Sequence, residues 1–274
     1  MFAGSMLIGF MNNPWLPVLG EVKFAVDNKF DFIEMTIEYP EAMPERLLPL
    51  CKDIRDTLRK SGLDIICHVP WYFHIAHPYS SVRMRYVSET LNVMEVARAL
   101  GATKIVIHTE FAEGLPSKYF SENRNEMLEN FSSSLDKIKE KANEYGMMIM
   151  LENTDDKAAT LEELICLLDS KNIKATLDVG HAFSNYHGNN KSLTDFIKML
   201  GSRITHVHLS DNFGAGDLHL PIGVGRICWR EVMSELKDLG YDGTITLEVH
   251  SPDRDYLLLS RDKVLKILQD LNSV

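Results

Sequence analysis

Short runs of apolar and β-branched residues alternate along this chain with longer amphipathic segments. The runs cover residues 7–10, 32–37, 64–69, 104–109, 147–153, 174–179, 204–209 and 244–249. They are nearly continuous in apolar residues, as expected of strands in a parallel sheet covered by helices. Between them a helical period is clearest over residues 82–100, 122–145 and 229–239, and a last helix is expected over 256–271. Gly62, Gly101, Gly146, Gly201 and Gly240 stand where helices give way to the next strand, the place where a left-handed residue ends a helix. Eight strand–helix units in 274 residues predict an α/β fold, a single (β/α)8 barrel occupying residues 1–274 as one domain. A doubly wound open sheet has similar units but gathers its ligands at one switch point, whereas here the polar residues are spread over many strand ends.

Those polar residues carry the chemistry. His68, His108, Glu152, Asp178, His208 and Glu248 each close an apolar run at its C-terminal end. In a barrel these ends converge on one mouth, where catalysis sits. His181 follows Asp178 by three residues, and Gly180 between them is expected to make a sharp turn that returns both side chains to the mouth. Asp217 and His219, two apart, are expected on one side of an extended loop. Mixed imidazole and carboxylate ligands suit zinc, manganese or iron. Any one such residue is more often a satisfied polar group than a ligand. Nine of them cannot share a mouth cheaply unless something neutralises them. His206 shares a strand face with His208 and is expected as a hydrogen-bonded core histidine below the site. His250 is expected to line the mouth, and Glu34 to close the second strand, each as a substrate contact or a partner of a ligand ring. The longest irregular segments, residues 71–81, 111–121 and 210–227, all follow strands and belong to the same face.

Composition narrows the classes. An apolar content of 45% supports a large core without staples. The four cysteines, Cys51, Cys67, Cys166 and Cys228, show no paired spacing and are expected as reduced, mostly buried thiols of a cytoplasmic protein. No apolar run approaches a membrane span, and the uncharged start lacks the basic region of a leader. Residues 1–5 are expected as a disordered or added start ahead of Met6. The formal charge of −10 argues against a general nucleic-acid binder. Four of the acids are candidate ligands, however, and bound divalent ions would make the pocket itself attractive to anions.

The stretches Leu-Glu-Asn-Thr (151–154), Leu-Asp-Val-Gly-His-Ala-Phe (177–183), His-Leu-Ser-Asp (208–211), Asp-Leu-His-Leu-Pro-Ile-Gly (217–223) and Leu-Glu-Val (247–249) resemble the xylose isomerase-like TIM barrels, or AP endonuclease family 2. That superfamily includes endonuclease IV and many sugar isomerases and epimerases. The resemblance implies two readings. In the epimerase branch, Glu152, Asp178, His208 and Glu248 would hold one metal, and the two glutamates would move a proton beside a carbonyl. In the endonuclease IV branch, His68, His108, His181, Asp217 and His219 would complete a site for up to three zinc ions. The full ligand set ranks a metal-dependent phosphoesterase acting at abasic sites in DNA first, with a sugar or sugar-phosphate isomerase or epimerase as the alternative. Trp71 and Tyr72 follow His68 where they would either wedge into DNA or wall a sugar pocket. Arg226 is one of few basic residues on the expected mouth loops, and Val224 departs from the glutamate common to both branches. No obligate protein partner is implied.

Overall fold

The computed structural model describes residues 6–111, 117–154 and 159–273. A closed barrel of parallel strands in chain order forms its centre. The strands are β1 (Leu7–Met11), β2 (Phe32–Thr36), β3 (Asp64–His68), β4 (Lys104–His108), β5 (Met148–Glu152), β6 (Lys174–Asp178), β7 (Ile204–Leu209) and β8 (Thr244–Leu247). Most expected runs overshoot these strands at the C-terminal end. Ile37, Val69, Thr109, Asn153 and Val179 leave the ladder, so the polar residue before each stands at the barrel rim. Glu248 goes one step further: it is already outside β8 but still donates its amide to Leu209 O at 3.0 Å.

The helices Ser80–Leu100, Arg124–Tyr145, Trp229–Asp238 and Asp255–Asn272 lie within two residues of their expected positions. Gly101 and Gly146 cap two of them with φ of 93° and 63°. Gly201 does something else, opening a short 3-10 turn with ψ of −134°. The barrel interior is layered. Phe32, Ile66, Val106 and Met150 form an apolar plug, separate from the larger apolar layer between strands and helices. Above the plug on β2, and on the facing strands β6 to β8, the interior turns polar, with Glu34, His206, His208, Thr176 and Thr246 all buried.

One irregularity sets the geometry of the mouth. β6 and β7 pair as Ala175↔Ile204 and then Thr176↔His206, so Thr205 is an extra residue in the ladder. Such a bulge re-aims the residues beyond it. Here it sets Asp178 opposite His208; a regular ladder would have set Asp178 opposite Val207.

Some expectations need correction and others lie outside the described residues. Within 111–121, residues 112–116 lie outside the described residues and Ser117–Glu122 is helical. Residues 1–5 also lie outside the described residues. Cys51 and Cys67 are buried but Cys166 and Cys228 are exposed, because the last two occupy outward positions on or beside surface helices. Among the described residues no helix is long and apolar enough to cross a membrane.

Candidate metal centre

Adjacent strands bring the rim residues together. One ligand atom from each of Glu152, Asp178, His208 and Glu248 lies within 4.8 Å of the others, and all four residues are buried. His208 Nδ1 is the hub: Glu152 Oε1 is 3.2 Å away, Glu248 Oε2 3.3 Å and Asp178 Oδ2 3.8 Å. The other oxygen of Glu152 faces the opposite way, 3.0 Å from His68 Nε2 and 3.2 Å from His108 Nε2. His68, His108 and Glu152 therefore make a second group of the same tightness. Further outward, Asp217 Oδ2 meets His181 Nε2 at 3.1 Å and His219 Nε2 at 2.6 Å.

Local structure explains the convergence, in part differently from the sequence reading. Asp178 caps the helix Val179–Asn185, accepting the amide proton of His181. Asp178 and His181 thus meet across the first turn of a helix, not through a sharp turn at Gly180. Glycine is required there for another reason: a Cβ at Gly180 would lie 2.5 Å from Ser210 Oγ. The segment bearing Asp217 and His219 is not extended either, since His219 adopts φ of 45°. Asp211 fixes that segment. Its carboxylate accepts from the amides of Asn212, Gly223 and Ile227 and from Trp229 Nε1, and its backbone pairs with Leu220.

Burial and close opposite charges set the electrostatics of the pocket against one another. Burial lifts the Asp178 carboxyl to about 7, with Glu248 and Glu152 adding to the rise. Burial works the same way on Glu152 and Glu248, but neighbouring imidazolium groups outweigh it. His208 and His108 hold Glu152 well below the usual range, and His219 and His208 bring Glu248 to about 2. Burial disfavours charge on His108 and His219, yet Glu152 and Glu110 lift the first to about 10, while Glu248 and Asp217 lift the second to about 9. His181 and His208 are raised well above their ordinary value against the same opposing burial, by Asp178 and Asp217 and by Glu34 and Glu152 respectively. Each of these imidazoles is thus biased toward its protonated form by the carboxylates around it. Metal binding requires neutral imidazoles and so releases those protons. Asp178 Oδ2 and Glu248 Oε2 are buried without a hydrogen-bond partner. Unsatisfied carboxylate oxygens facing an imidazole nitrogen fit a divalent ion bound by the tetrad.

The other named residues surround this cluster, some where expected and some not. Glu34 lies in mid-strand, fully buried beneath His208, and does not reach the mouth as a substrate contact would. His206 sits deeper still, between Glu34 and Thr244. His250 stands at the rim with its ring 4.0 Å from that of His219. Trp71 is 45% exposed and packs edge-on against Tyr72. Arg226 is exposed and held through its backbone to Asn212 and Asn190. The sequence reading missed two acids. Glu110 accepts from His108 Nδ1 at 3.3 Å, and half-buried Glu38 lies close enough to His68 and His108 to feel both rings, while burial raises its pKa. Each lies two residues past a rim position, Thr36 or His108, so strand parity marks them.

The profile described as xylose isomerase-like TIM barrel matches residues 22–269. The chain belongs to that family. As a xylose isomerase-like barrel it is 33% identical over 232 residues to the uncharacterized protein MJ1311 of Methanocaldococcus jannaschii, covering 81% of this chain and 75% of the relative. It is 24% identical over 264 residues to an inosose isomerase of Halalkalibacterium halodurans, covering 91% of this chain and 88% of the relative. A solved structure of a D-tagatose 3-epimerase-like protein superposes on this xylose isomerase-like chain with a TM-score of 0.84 and 28% identity, covering 98% and 99% of the two chains. The inosose isomerase and the epimerase-like structure favour the isomerase alternative over the phosphoesterase ranked first from the ligand set.

Proposed function

We propose that the protein is a divalent-metal-dependent isomerase or epimerase of a small sugar or related polyol ketone. The observation that carries this is the placement of two glutamates. Glu152 on β5 and Glu248 just past β8 both approach one imidazole nitrogen, at 3.2 and 3.3 Å. Glu152, Asp178, His208 and Glu248 would hold the ion, zinc or manganese by their chemistry. When bound, the ion would polarise a substrate carbonyl and acidify the neighbouring C–H. Glu152 and Glu248 are the acid–base pair. One removes the proton from the carbon beside the carbonyl, and the other returns a proton to that carbon from the opposite face or to its neighbour. Trp71 and Tyr72 wall the substrate pocket, and His250 lines its rim.

The test is proton exchange. Metal-loaded protein is incubated in D2O with a panel of free ketoses, sugar phosphates and inososes, and deuterium uptake beside the carbonyl is followed by NMR. Exchange with one substrate class, lost with Glu248→Gln, is expected. A second reading stays attached to a specific observation: His68, His108 and Glu152 form a further group able to hold an ion. With His181, Asp217 and His219 beyond it, that group would suit a site of up to three zinc ions and phosphoester cleavage at abasic DNA. Protein verified to hold its metals that gives no exchange, yet incises a duplex at an abasic site, would overturn the isomerase reading in its favour.

A further inference from the structure

Glu34 is an unusual residue to find inside a barrel. It is buried completely, two residues above the apolar plug. A carboxylate there survives only if its oxygens are fully hydrogen-bonded. Oε2 accepts from His206 Nε2 at 2.8 Å and from the Thr246 hydroxyl. His206 in turn meets Thr244 Oγ1 at 2.7 Å through its other nitrogen. That half of the network is self-contained. Oε1 is directed to a different partner, His208 Nε2, at 3.1 Å.

We propose that Glu34 is a positioning residue for the ion cradle: it fixes the tautomer and tilt of His208 so that Nδ1 is the nitrogen offered to a divalent cation. An ionised carboxylate can only accept, so His208 must carry its proton on Nε2 when it faces Glu34. The lone pair of a neutral ring then lies on Nδ1. This is the atom that faces Glu152 Oε1, Glu248 Oε2 and Asp178 Oδ2. Glu34 never meets the substrate, because the His208 ring lies between it and the cradle. It acts by raising the ligand strength of one nitrogen and removing the ring flip that would bury the other. The inference rests on the tetrad being an ion site, and it deepens that reading by one residue.

Two measurements test it, neither depending on turnover. The first uses the intact protein, zinc-loaded and labelled with 15N-histidine. Long-range 1H–15N correlation is expected to show His208 protonated on Nε2 and metal-bound through Nδ1. The second is zinc affinity by chelator competition for Glu34→Gln. A glutamine amide can turn its NH2 toward Nε2, which moves the imidazole proton to Nδ1 and blocks the ligand. Affinity is expected to fall about 10- to 100-fold, the usual effect of losing such a partner. A wild-type protein that binds no zinc would sink the ion reading itself. Wild-type binding through Nε2, or Glu34→Gln protein binding zinc as tightly as wild type, would overturn the role of Glu34. If Glu34→Gln does not fold, the wild-type spectrum decides alone.

Discussion

Glu152 concentrates the charge of the mouth, with one oxygen toward the tetrad and the other toward His68 and His108. What the outer residues contribute separates the two mechanisms. In an isomerase using the tetrad, His108 and Asp217 lie beside the ion and act on substrate hydroxyls. Asp217→Ala is then expected to raise KM about tenfold, the equivalent of one hydrogen bond of roughly 1.5 kcal/mol, with kcat little changed, whereas His108→Ala also takes a partner from Glu152 and lowers kcat in part. In a three-ion hydrolase each change empties a metal site and collapses kcat, so steady-state kinetics of these two variants tell the mechanisms apart. The rim residues were legible in the sequence because each ends an apolar run, and the residue type alone gives their chemistry. A ligand-ring partnership for Glu34 was legible, but its place in mid-strand was not. Its burial depends on where β2 stops relative to β7, and its partners His206 and His208 lie at the far end of the chain.

At the scale of elements, the strands and long helices were legible because periodicity and glycine caps are local. The loop carrying Asp217 and His219 was not, because its conformation is imposed by one buried carboxylate. Asp211 accepts four hydrogen bonds that tie together residues from Asn212 to Trp229. Asp211→Ala leaves those donors without an acceptor, at about 1–3 kcal/mol for each that finds no substitute. A net loss of about 3 kcal/mol is expected, lowering the melting temperature by roughly 6–12 °C in calorimetry. An unchanged melting temperature would mean that the loop is held by something else. The same tie explains Gly225, whose added Cβ would lie 2.3 Å from both Asn212 O and Asp211 Oδ1.

For the whole molecule, the mouth is a concentration of acid in a chain already carrying a formal charge of −10. An ion that binds only the folded protein stabilises it by mass action, about 2.7 kcal/mol at a concentration a hundredfold above Kd. Removing zinc or manganese with a chelator is therefore expected to lower the melting temperature by roughly 5–10 °C. Restoring the ion should reverse the drop, and Asp178→Asn protein should respond much less. A melting curve indifferent to chelator would remove the ion from the account of stability. The family was legible from five short stretches, but the choice between its branches was not, since both draw on the same strand ends. The extra residue at Thr205 shows why an inventory of ligands is an incomplete description of such a site. Had Thr205 been paired in the ladder like its neighbours, no acid and no histidine would be lost, and every stretch by which the family is recognised would still be present. The regular ladder would nevertheless present Val207 to Asp178 in place of His208. In a strand, where consecutive side chains point to opposite faces, the count between ligands being odd or even matters as much as their identity.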